Sequence, residues 1–477
     1  MKRAGLFAFQ TLEKHWPLNR DNPQHIHLVC GTGNNGGDGF ITAQYALLAG
    51  YSISVSILGD EHKIQNHALF ALQELKQLGI EPTPFNQACL NTADLMVDAL
   101  FGTGLNQTVS GQYAKAIEHI NQSQKPVLAI DIPSGLCADT GAILGVAIQA
   151  QHTCTFITQK VGLYTAQGQE TAGKIHFSAL CLPKQLYQPF SPLAQNHALP
   201  FWLKKYPVRL ASHHKGTAGT VCLMGGNTTM MGAIQLAGLA SLKTGSGLVK
   251  IITHKAHGIA ITQAIPELMC YPPEEALAQV AQAKALGIGP GLGLNDWAKA
   301  LFHQVIHLPI SKVIDADALK HLAEYTLNQT GPINANWVLT PHPGEAAYLL
   351  QTNTQTIQQD RIKAIKQLHQ TYGGVIVLKG NGTLIYDGNH MELCLAGNPG
   401  MAVGGMGDVL TGAITSFIAQ GLSLWHAACL GVALHAHAGD VLASQYGQPG
   451  LLPSEVAQTM SHLVSLQQLN QQSSQQP

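Results

Sequence analysis

Short apolar segments alternate with helical segments along this chain of 477 residues, and this alternation constrains the fold more than any other feature. In the first part of the chain, the predicted strands are HLVC at 27–30, SISVSIL at 52–58, DLMVDAL at 94–100, VLAIDI at 127–132 and HTCTFI at 152–157. In the second part, they are TVCLMG at 220–225, LVKIIT at 248–253, ALGIG at 285–289, KVIDA at 312–316, NWVLTP at 336–341 and GVIVLKG at 374–380. Helices are predicted between them, for example at 39–48, 65–78 and 232–244. This order is typical of a mostly parallel sheet covered by helices on both faces, so the sequence predicts an α/β fold with two tandem domains.

A proline-rich stretch separates the two series of strands. Prolines occur at positions 183, 189, 192, 200 and 207. Prolines at this density interrupt regular elements and suit a connection between domains. We therefore expect a first domain at 1–185, a linker at 186–207 and a second domain at 208–465. The remaining residues, 466–477, are polar and rich in Gln, and we expect them to form a disordered tail.

Composition excludes several classes of protein. Only 11% of the residues are charged, and 26 basic residues balance 27 acidic ones, so the chain lacks the charge typical of proteins that bind nucleic acid or anionic membranes. The nine cysteines are scattered without a CxxC pair, which is typical of reduced thiols in a cytosol. No apolar segment has the length and purity of a signal peptide or a membrane span. The sequence predicts a cytoplasmic protein that binds neither nucleic acid nor membrane.

One glycine-rich segment of the second domain carries a single acidic residue. Residues 396–412 read AGNPGMAVGGMGDVLTG, and Asp408 directly precedes an apolar run that is predicted to be helical. Glycine-rich turns at a helix N-terminus can hold an anion through backbone N–H groups. A carboxylate placed there can accept the proton of a hydroxyl group that attacks a phosphoryl group. The alternative is an ordinary loop followed by a core helix.

Three strand ends of the first domain carry polar side chains together with glycines. GTGNNGGDGF at 31–40 follows the first strand, LFGTGLNQTVSG at 100–111 follows a strand that contains Asp98, and DIPSGL at 131–136 follows the next strand. The carboxyl ends of parallel strands share one edge of a sheet, where open α/β sheets bind ligands. The alternative is that these residues only form turns and helix caps.

GTGNNGGDGF, VDALFGTGL and IDIPSG, in this order and spacing, resemble the NAD(P)H-hydrate epimerases, which have a Rossmann-like three-layer α/β/α fold. MKRAG at 1–5 resembles an early helix of that family, and we expect the chain to begin inside it; Cys137 stands where the family more often has Asn. The resemblance implies a potassium ion held by Asn35, Asp98 and Ser134, with Asp131 as the residue that exchanges a proton with the substrate. The residues that it implies in contact with the substrate are Asn34, Asn35, Gly36, Gly37, Asp38, Gly102, Thr103, Gly104, Leu105, Asn106, Gln107, Thr108 and Asp131.

The second domain resembles the NAD(P)H-hydrate dehydratases, a branch of the ribokinase-like α/β/α kinases. The motifs that carry this resemblance are HKGTAG at 214–219, GIGPGLG at 287–293, IDADAL at 314–319, TPHPGE at 340–345 and KGNGT at 379–383, with the glycine-rich segment around Asp408. The resemblance implies that Asp408 is the catalytic base. It implies substrate contacts from Ala233, Gly291, His342 and Asp408, and nucleotide contacts from Lys379, Gly380, Asn381, Gly382, Thr383 and Gly407.

Some residues in these motifs can have purely structural roles. His342 can be a satisfied loop residue, and Asp315 and Asp317 can be helix caps as readily as catalytic groups. Glu345 is a weak candidate for a magnesium ligand through water.

The two resemblances together imply one repair pathway. The first domain would interconvert the R and S forms of NADH-hydrate and NADPH-hydrate, and the second would phosphorylate the S form and release phosphate to restore NADH or NADPH. ADP with Mg²⁺ is the expected donor, ATP is the alternative, and we expect a homo-oligomer. A competing interpretation is a ribokinase-like kinase for a vitamin precursor or a sugar, with a first domain that binds a dinucleotide without catalysis.

Overall fold

The computed structural model describes residues 1–207, 209, 212–327 and 335–473, with side chains up to residue 466. The chain divides into two compact units, Met1–Pro192 and Leu193–Pro477. Each unit contains one sheet and the helices that pack on it. The predicted pair of tandem α/β domains is therefore confirmed.

The first unit contains seven strands and six α-helices within this description. Its helices are α1 (Lys2–His15), α2 (Asn34–Leu48), α3 (Asn66–Gln77), α4 (Cys89–Thr92), α5 (Gly111–Gln122) and α6 (Gly168–Ala172). Its strands are β1 (His25–Cys30), β2 (Ser52–Ile57), β3 (Thr83–Pro84), β4 (Leu95–Ala99), β5 (Val127–Ile130), β6 (His152–Phe156) and β7 (Lys174–Ser178). All five strands that the sequence predicts here are present. The sequence missed β3 and β7, because β3 has only two residues and β7 is largely polar.

The sheet of the first unit is parallel, with the strand order β3-β2-β1-β4-β5-β6-β7. Neighbouring residues of β1 point to opposite faces: Leu28 packs with α1, α2 and α3, and Val29 packs with α5. The chain leaves β1 toward β2 on one side, while β4 pairs with β1 on the other. A crevice therefore opens between the carboxyl ends of β1 and β4, where ligands bind in sheets of this kind.

The second unit contains nine described strands. They are β8 (Thr220–Met224), β9 (Leu248–Ile252), β10 (Leu268–Tyr271), β11 (Ala285–Ile288), β12 (Ser311–Ile314), β13 (Trp337–Leu339), β14 (Val375–Leu378), β15 (Thr383–Tyr386) and β16 (Met391–Cys394). The helices are α7 (Leu199–Leu203), α8 (Met231–Lys243), α9 (Gly258–Ala264), α10 (Ala276–Val280), α11 (Asp296–Val305), α12 (Asp317–Leu327), α13 (Pro343–Leu349), α14 (Thr354–Gln359), α15 (Arg361–Tyr372), α16 (Met406–Ala419), α17 (Leu424–Tyr446) and α18 (Pro453–Ser473).

The strands of the second sheet follow the order β10-β9-β8-β11-β12-β13-β14-β15-β16. The strands from β10 to β14 in this order, which include β9 and β8, are parallel. Strands β14, β15 and β16 form an antiparallel meander that the sequence did not predict. Helix α16 crosses α8 so closely that a Cβ atom on Gly412 would lie 2.0 Å from the carbonyl oxygen of Ala237. This contact requires glycine at position 412 and fixes the helix whose first turn contains Asp408.

Only the first part of the expected linker at 186–207 lies outside the second unit. Its second half belongs to the second unit: the backbone of Gln195 pairs with Met391 and Leu393 of β16, and Leu199 and Trp202 of α7 are buried in the apolar core. Pro200 lies in the first turn of α7, where proline is tolerated, so a proline in this stretch does not by itself mark a connection.

The expected tail at 466–477 also differs from the structure, since α18 continues to Ser473, and residues 474–477 lie outside the described residues. One helix, Leu424–Tyr446, is long and apolar enough to cross a membrane, but 72% of its most apolar window is buried inside the protein. Burial of this extent is typical of a core helix.

We predict that Trp202→Ala destabilises the second unit by about 3 kcal/mol or more, because a large buried ring is removed from the core. The matched control is Phe201→Ala, since the neighbouring Phe201 ring is 41% exposed and should cost less than about 1 kcal/mol. Urea unfolding of the full chain measures both values. Equal losses would mean that α7 is a loosely attached linker.

Candidate active sites

A cavity of about 720 Å³ opens at the carboxyl ends of β1, β4 and β5 in the first unit. It is lined by two amides, a glycine-rich loop and one carboxylate: Asn34, Asn35, Gly102, Thr103, Gly104, Leu105, Asn106, Gln107, Thr108 and Asp131. Phe101 and Tyr113 add aromatic surface that the sequence argument did not include. The structure therefore brings most of the predicted substrate contacts of this unit together.

Gly36, Gly37 and Asp38 lie outside the lining, in the first turn of α2. The sequence placed this segment in a loop and started the helix at residue 39, but the helix starts at Asn34. Glycine at position 36 is needed because a Cβ atom there would lie 1.9 Å from the carbonyl oxygen of Gly31. Burial, with the charge of Asp131 adding to it, raises the pKa of Asp38 to about 7.

Asp131 is held by a lysine that sequence analysis missed. The Nζ atom of Lys160 lies 2.6 Å from Oδ1 of Asp131, and the backbone N–H of Thr103 donates to Oδ2 at 3.2 Å. Asp131 also has a φ of 68°, which is strained for a residue with a Cβ atom and is characteristic of functional sites. Lys160 follows β6, whose carboxyl end meets the same sheet edge, and this position was the available clue.

Asn35, Asp98 and Ser134 form a buried cluster of oxygen ligands beside the cavity. The Ser134 hydroxyl donates to Oδ1 of Asp98 at 2.6 Å, and its backbone N–H donates to Oδ2 at 2.7 Å. The Asn35 amide donates to the carbonyl of Phe101, which leaves its own Oδ1 buried without a partner among the described residues. Burial raises the pKa of Asp98 to about 6. Carboxylate, amide and hydroxyl oxygens, one of them unpartnered, fit a hard cation.

In the second unit, Asp408 lies in the first turn of α16. Gly405 precedes the helix with a φ of 100°, and the first backbone hydrogen bond of this turn runs from Val409 to Gly405 at 3.1 Å. The N–H groups of Gly407 and Asp408 thus stand at the helix N-terminus, where they can bind an anion. Burial and the negative charges of Asp315 and Glu345 raise the pKa of Asp408 to about 7, against the opposing effect of Lys379.

Lys379 and Asp315 form an ion pair next to this turn. The Nζ atom of Lys379 lies 2.8 Å from Oδ1 of Asp315, and the hydroxyl of Thr411 donates to Oδ2 of the same carboxylate at 2.8 Å. Burial opposes the charge on Lys379, but Asp315 and Glu345 outweigh it and raise the lysine pKa. A Cβ atom on Gly407 would lie 3.3 Å from Nζ of Lys379, so glycine keeps the backbone close to the ammonium group.

Of the two aspartates that the sequence left open, Asp315 therefore lies in the candidate site. Asp317 has a structural contact instead, since its carboxylate accepts a hydrogen bond from the backbone of Gly293 at 3.0 Å.

His342 and Glu345 form a capping box at the start of α13. Nδ1 of His342 accepts from the backbone N–H groups of Gly344 and Glu345, while Oε2 of Glu345 accepts from the N–H of His342 at 2.7 Å. The same Oε2 lies 3.7 Å from Nζ of Lys379. Both residues thus have a structural role, and Nε2 of the half-exposed imidazole takes no part in the cap.

The remaining predicted contacts fall at two further strand ends. Gly291 follows β11, and a Cβ atom added to it would lie 3.1 Å from the Cβ of Ala233, so these two residues adjoin. Lys379, Gly380, Asn381 and Gly382 form the turn between β14 and β15, and the Thr383 hydroxyl donates to the carbonyl of Gly380 at 2.9 Å. The buried guanidinium of Arg361 donates to the carbonyls of Leu378 and Lys379 and fixes this turn. Sequence analysis missed Arg361, which shows no local motif.

These features define a two-domain α/β enzyme whose second unit has the fold of the ribokinase-like proteins. That unit is similar to a ribokinase-like superfamily protein from Enterococcus faecalis, with a TM-score of 0.54, 27% identity and coverage of 58% of this chain and 98% of that one. It is also similar to the ADP/ATP-dependent NAD(P)H-hydrate dehydratase of Bacillus subtilis, co-crystallised with ATP and Mg²⁺, with a TM-score of 0.53, 28% identity and coverage of 57% and 99%.

Sequence comparison covers both units. Residues 221–462 match the family described as NAD(P)H-hydrate dehydratase, and residues 1–162 match the YjeF-related protein N-terminus. The chain is 39% identical to the bifunctional NAD(P)H-hydrate repair enzyme Nnr of Coxiella burnetii, over 98% of this chain and 94% of that protein. Its identity to the corresponding enzyme of Escherichia coli is 38%, over 98% and 89%. The chain belongs to the family of bifunctional NAD(P)H-hydrate repair enzymes.

We predict that Lys379→Met destabilises the second unit by about 3 kcal/mol, because it leaves the buried carboxylate of Asp315 without its counter-ion. Lys299→Met is the matched control: its partner Glu324 is 3.9 Å away, both side chains are about half exposed, and the loss should stay below about 1 kcal/mol. Urea unfolding compares the two. A double variant, K379M with D315N, should recover part of the loss, and no recovery would argue against the ion pair as its cause.

Proposed function

We propose that this chain repairs hydrated NADH and NADPH in two steps, with epimerisation in the first unit and nucleotide-dependent dehydration in the second. The observation that carries this proposal is the position of Asp408 in the first turn of α16, beside the ion pair of Lys379 and Asp315. It combines a base of raised pKa, helix-terminal N–H groups and an ammonium group, which is what phosphoryl transfer to a hydroxyl group requires.

In the first unit, Asp131 is the group that we assign to proton exchange. Its carboxylate accepts the proton of the C6 hydroxyl while the bond between C6 and the ring nitrogen breaks, and the proton passes to that nitrogen. Closure on the other face reverses these steps and gives the opposite epimer. The ammonium group of Lys160, 2.6 Å from Oδ1, holds the carboxylate of Asp131 in place. Its positive charge balances the negative charge of that carboxylate. The glycine-rich loop 102–108 and Asn34 hold the rest of the substrate in the cavity.

We assign Asn35, Asp98 and Ser134 to a potassium ion, which supplies positive charge near the substrate when it is bound. The unpartnered Oδ1 of Asn35 is the observation that supports this assignment.

In the second unit, the carboxylate of Asp408 accepts the proton of the C6 hydroxyl of the S hydrate as its oxygen attacks the terminal phosphorus of the nucleotide. The bond between that phosphorus and the bridging oxygen breaks, and the shortened nucleotide leaves. The N–H groups of Gly407 and Asp408 and the ammonium of Lys379 stabilise the negative charge on the transferred group. The turn from Lys379 to Thr383 holds the nucleotide phosphates.

The phosphate ester then breaks down within the same site. The C6–O bond breaks, and the departing phosphate takes a proton from the neighbouring ring carbon, which restores the double bond of the reduced nicotinamide. Phosphate is a far better leaving group than hydroxide, so a kinase fold can serve a dehydration. Ala233, Gly291 and the imidazole of His342 are the contacts that we assign to the hydrate.

Mg²⁺ is expected to accompany the nucleotide and to neutralise charge on its phosphates. We assign Glu345 to this ion through water: Oε2 accepts a hydrogen bond from the His342 backbone and faces Lys379, and Oε1 lies 3.5 Å from Nε2 of His342.

We propose ADP as the donor, a cytoplasmic location and a homo-oligomeric state. The competing function, a small-molecule kinase with a first unit that is not catalytic, is not favoured, because the matched relatives are bifunctional repair enzymes along both units. The cavity of the first unit also retains Asp131 and the oxygen cluster.

We predict that Asp408→Asn abolishes dehydration and preserves epimerisation, whereas Asp131→Asn has the reverse effect, because each removes the proton acceptor of one unit. The assay supplies a mixed R and S hydrate with K⁺, Mg²⁺ and ADP, and follows the near-ultraviolet absorbance of the reduced nicotinamide for dehydration. For Asp408→Asn, chromatographic separation of the R and S hydrates, starting from pure R hydrate, measures epimerisation. The native chain should recover the whole mixture, and Asp131→Asn should stop at the S fraction. We expect each loss to be about 100-fold or more.

Replacing ADP by ATP in the same assay identifies the donor. Loss of both activities in either folded variant would contradict the assignment of two separate sites. Absence of recovery with both nucleotides would revive the small-molecule kinase.

We predict that dehydration depends on the ionisation of Asp408, whose pKa is raised to about 7. The carboxyl group accepts a proton only when it is ionised, so kcat/KM should fall about tenfold for each pH unit below about 7 and reach a plateau above it. Initial rates on pure S hydrate measure this profile without the epimerase step. A flat profile between about pH 5.5 and 8 would contradict the role of Asp408 as the base.

A further inference from the structure

Three histidines of the first unit converge at the edge of the sheet opposite to the cavity. His15 is the last residue of α1, His152 is the first residue of β6, and His176 is the middle residue of β7. One ring nitrogen of each lies within 4.8 Å of the other two. The cavity lies at the carboxyl ends of the parallel strands, so this cluster is separate from it.

The hydrogen bonds within this cluster do not pair every ring nitrogen. Nδ1 of His152 and Nε2 of His176 share a hydrogen bond of 2.9 Å. Nε2 of His15 is buried and has no hydrogen-bond partner among the described residues, although its ring stacks on that of His152 with centroids 4.0 Å apart. Burying a ring nitrogen without a hydrogen-bond partner costs free energy. A metal ion that accepts the lone pair of this nitrogen would offset that cost.

The type of ligand atom in this cluster determines which class of metal ion can bind. All three ligand atoms are nitrogens. Mg²⁺ and Ca²⁺ prefer oxygen ligands, whereas Zn²⁺ and similar ions bind imidazole strongly.

We propose that His15, His152 and His176 form a binding site for a borderline divalent transition metal such as Zn²⁺, with the fourth position taken by water. Two nitrogens bound to one tetrahedral Zn²⁺ lie roughly 3.4 Å apart, so the 2.9 Å contact between His152 and His176 opens by about half an ångström on binding.

The metal would join the end of α1 to β6 and β7. The other end of α1 packs on α2, where a Cβ atom on Gly5 would lie 2.4 Å from the side chain of Ile41. Helix α2 begins with Asn34 and Asn35, which line the cavity. Metal binding therefore stabilises the helix that supports the cavity, at a site without contact to the substrate.

The test titrates the full chain, stripped with EDTA, with Zn²⁺ in a calorimeter and with Co²⁺ in a spectrophotometer. We expect one equivalent of Zn²⁺ to bind, the visible bands of tetrahedral Co²⁺ to appear and Zn²⁺ to raise the Tm. His176→Gln should weaken the binding of Zn²⁺ at least about tenfold, because it removes one of three ligands. His67→Gln, which replaces an exposed histidine of the same unit, should leave the affinity unchanged.

Circular dichroism in EDTA shows whether His176→Gln is folded, and the Co²⁺ spectrum of the native chain does not depend on any variant. Equal Zn²⁺ affinity in the native chain and His176→Gln would overturn the proposal. Absence of the tetrahedral Co²⁺ bands would overturn it as well.

Discussion

The ion pair between Lys379 and Asp315 is the contact that organises the candidate site of the second unit. It joins the ends of β12 and β14, and Thr411 of α16 hydrogen-bonds the same carboxylate, so one interaction fixes three elements around this site. The ion pair also keeps the buried ammonium group of Lys379 charged, whereas burial alone would lower the pKa of this lysine and favour its neutral form. The pKa of Asp408 stays raised because the residue is buried and because two neighbouring carboxylates, Asp315 and Glu345, share this one lysine. The first unit uses the same arrangement on a smaller scale, with Lys160 against the strained Asp131.

The residues that line the candidate sites at strand ends could be predicted from sequence, because their segments follow apolar strands and the carboxyl ends of parallel strands share one edge of a sheet. Two cations that hold parts of these sites in place, Lys160 and Arg361, could not be predicted. Lys160 stands in a segment without a motif, and Arg361 is distant in sequence from the turn that it fixes. Their partners are set by sheet order, which brings β6 beside β5 and α15 beside β14. The His15, His152 and His176 cluster has the same origin, since 136 residues separate the first two members and only the pairing of β6 and β7 brings the last two together.

The fold itself was predictable where burial dictated the pattern. All eleven strands predicted from apolar runs are present, because central parallel strands are buried on both faces. The antiparallel meander of β15 and β16 was missed, since Thr383–Tyr386 and Met391–Cys394 are short and interrupted by polar residues. The start of α2 was placed too late because glycines disfavour helices in isolation, whereas here Gly36 is required by the contact with Gly31. In the meander and at the start of α2, contacts with neighbouring elements determine the structure more than the local preference of the residues.

The segment from Leu193 to Tyr206 has a consequence for handling the two units separately. Gln195 covers part of the outer edge of β16, and α7 fills an apolar groove with Leu199, Trp202 and Leu203. A chain cut at the sequence-based boundary near residue 208 would leave an unpaired strand edge and an open apolar surface, which are the features that drive proteins to aggregate. A soluble second unit therefore has to begin at or before Leu193, although the proline-rich part of that segment has the composition of a linker.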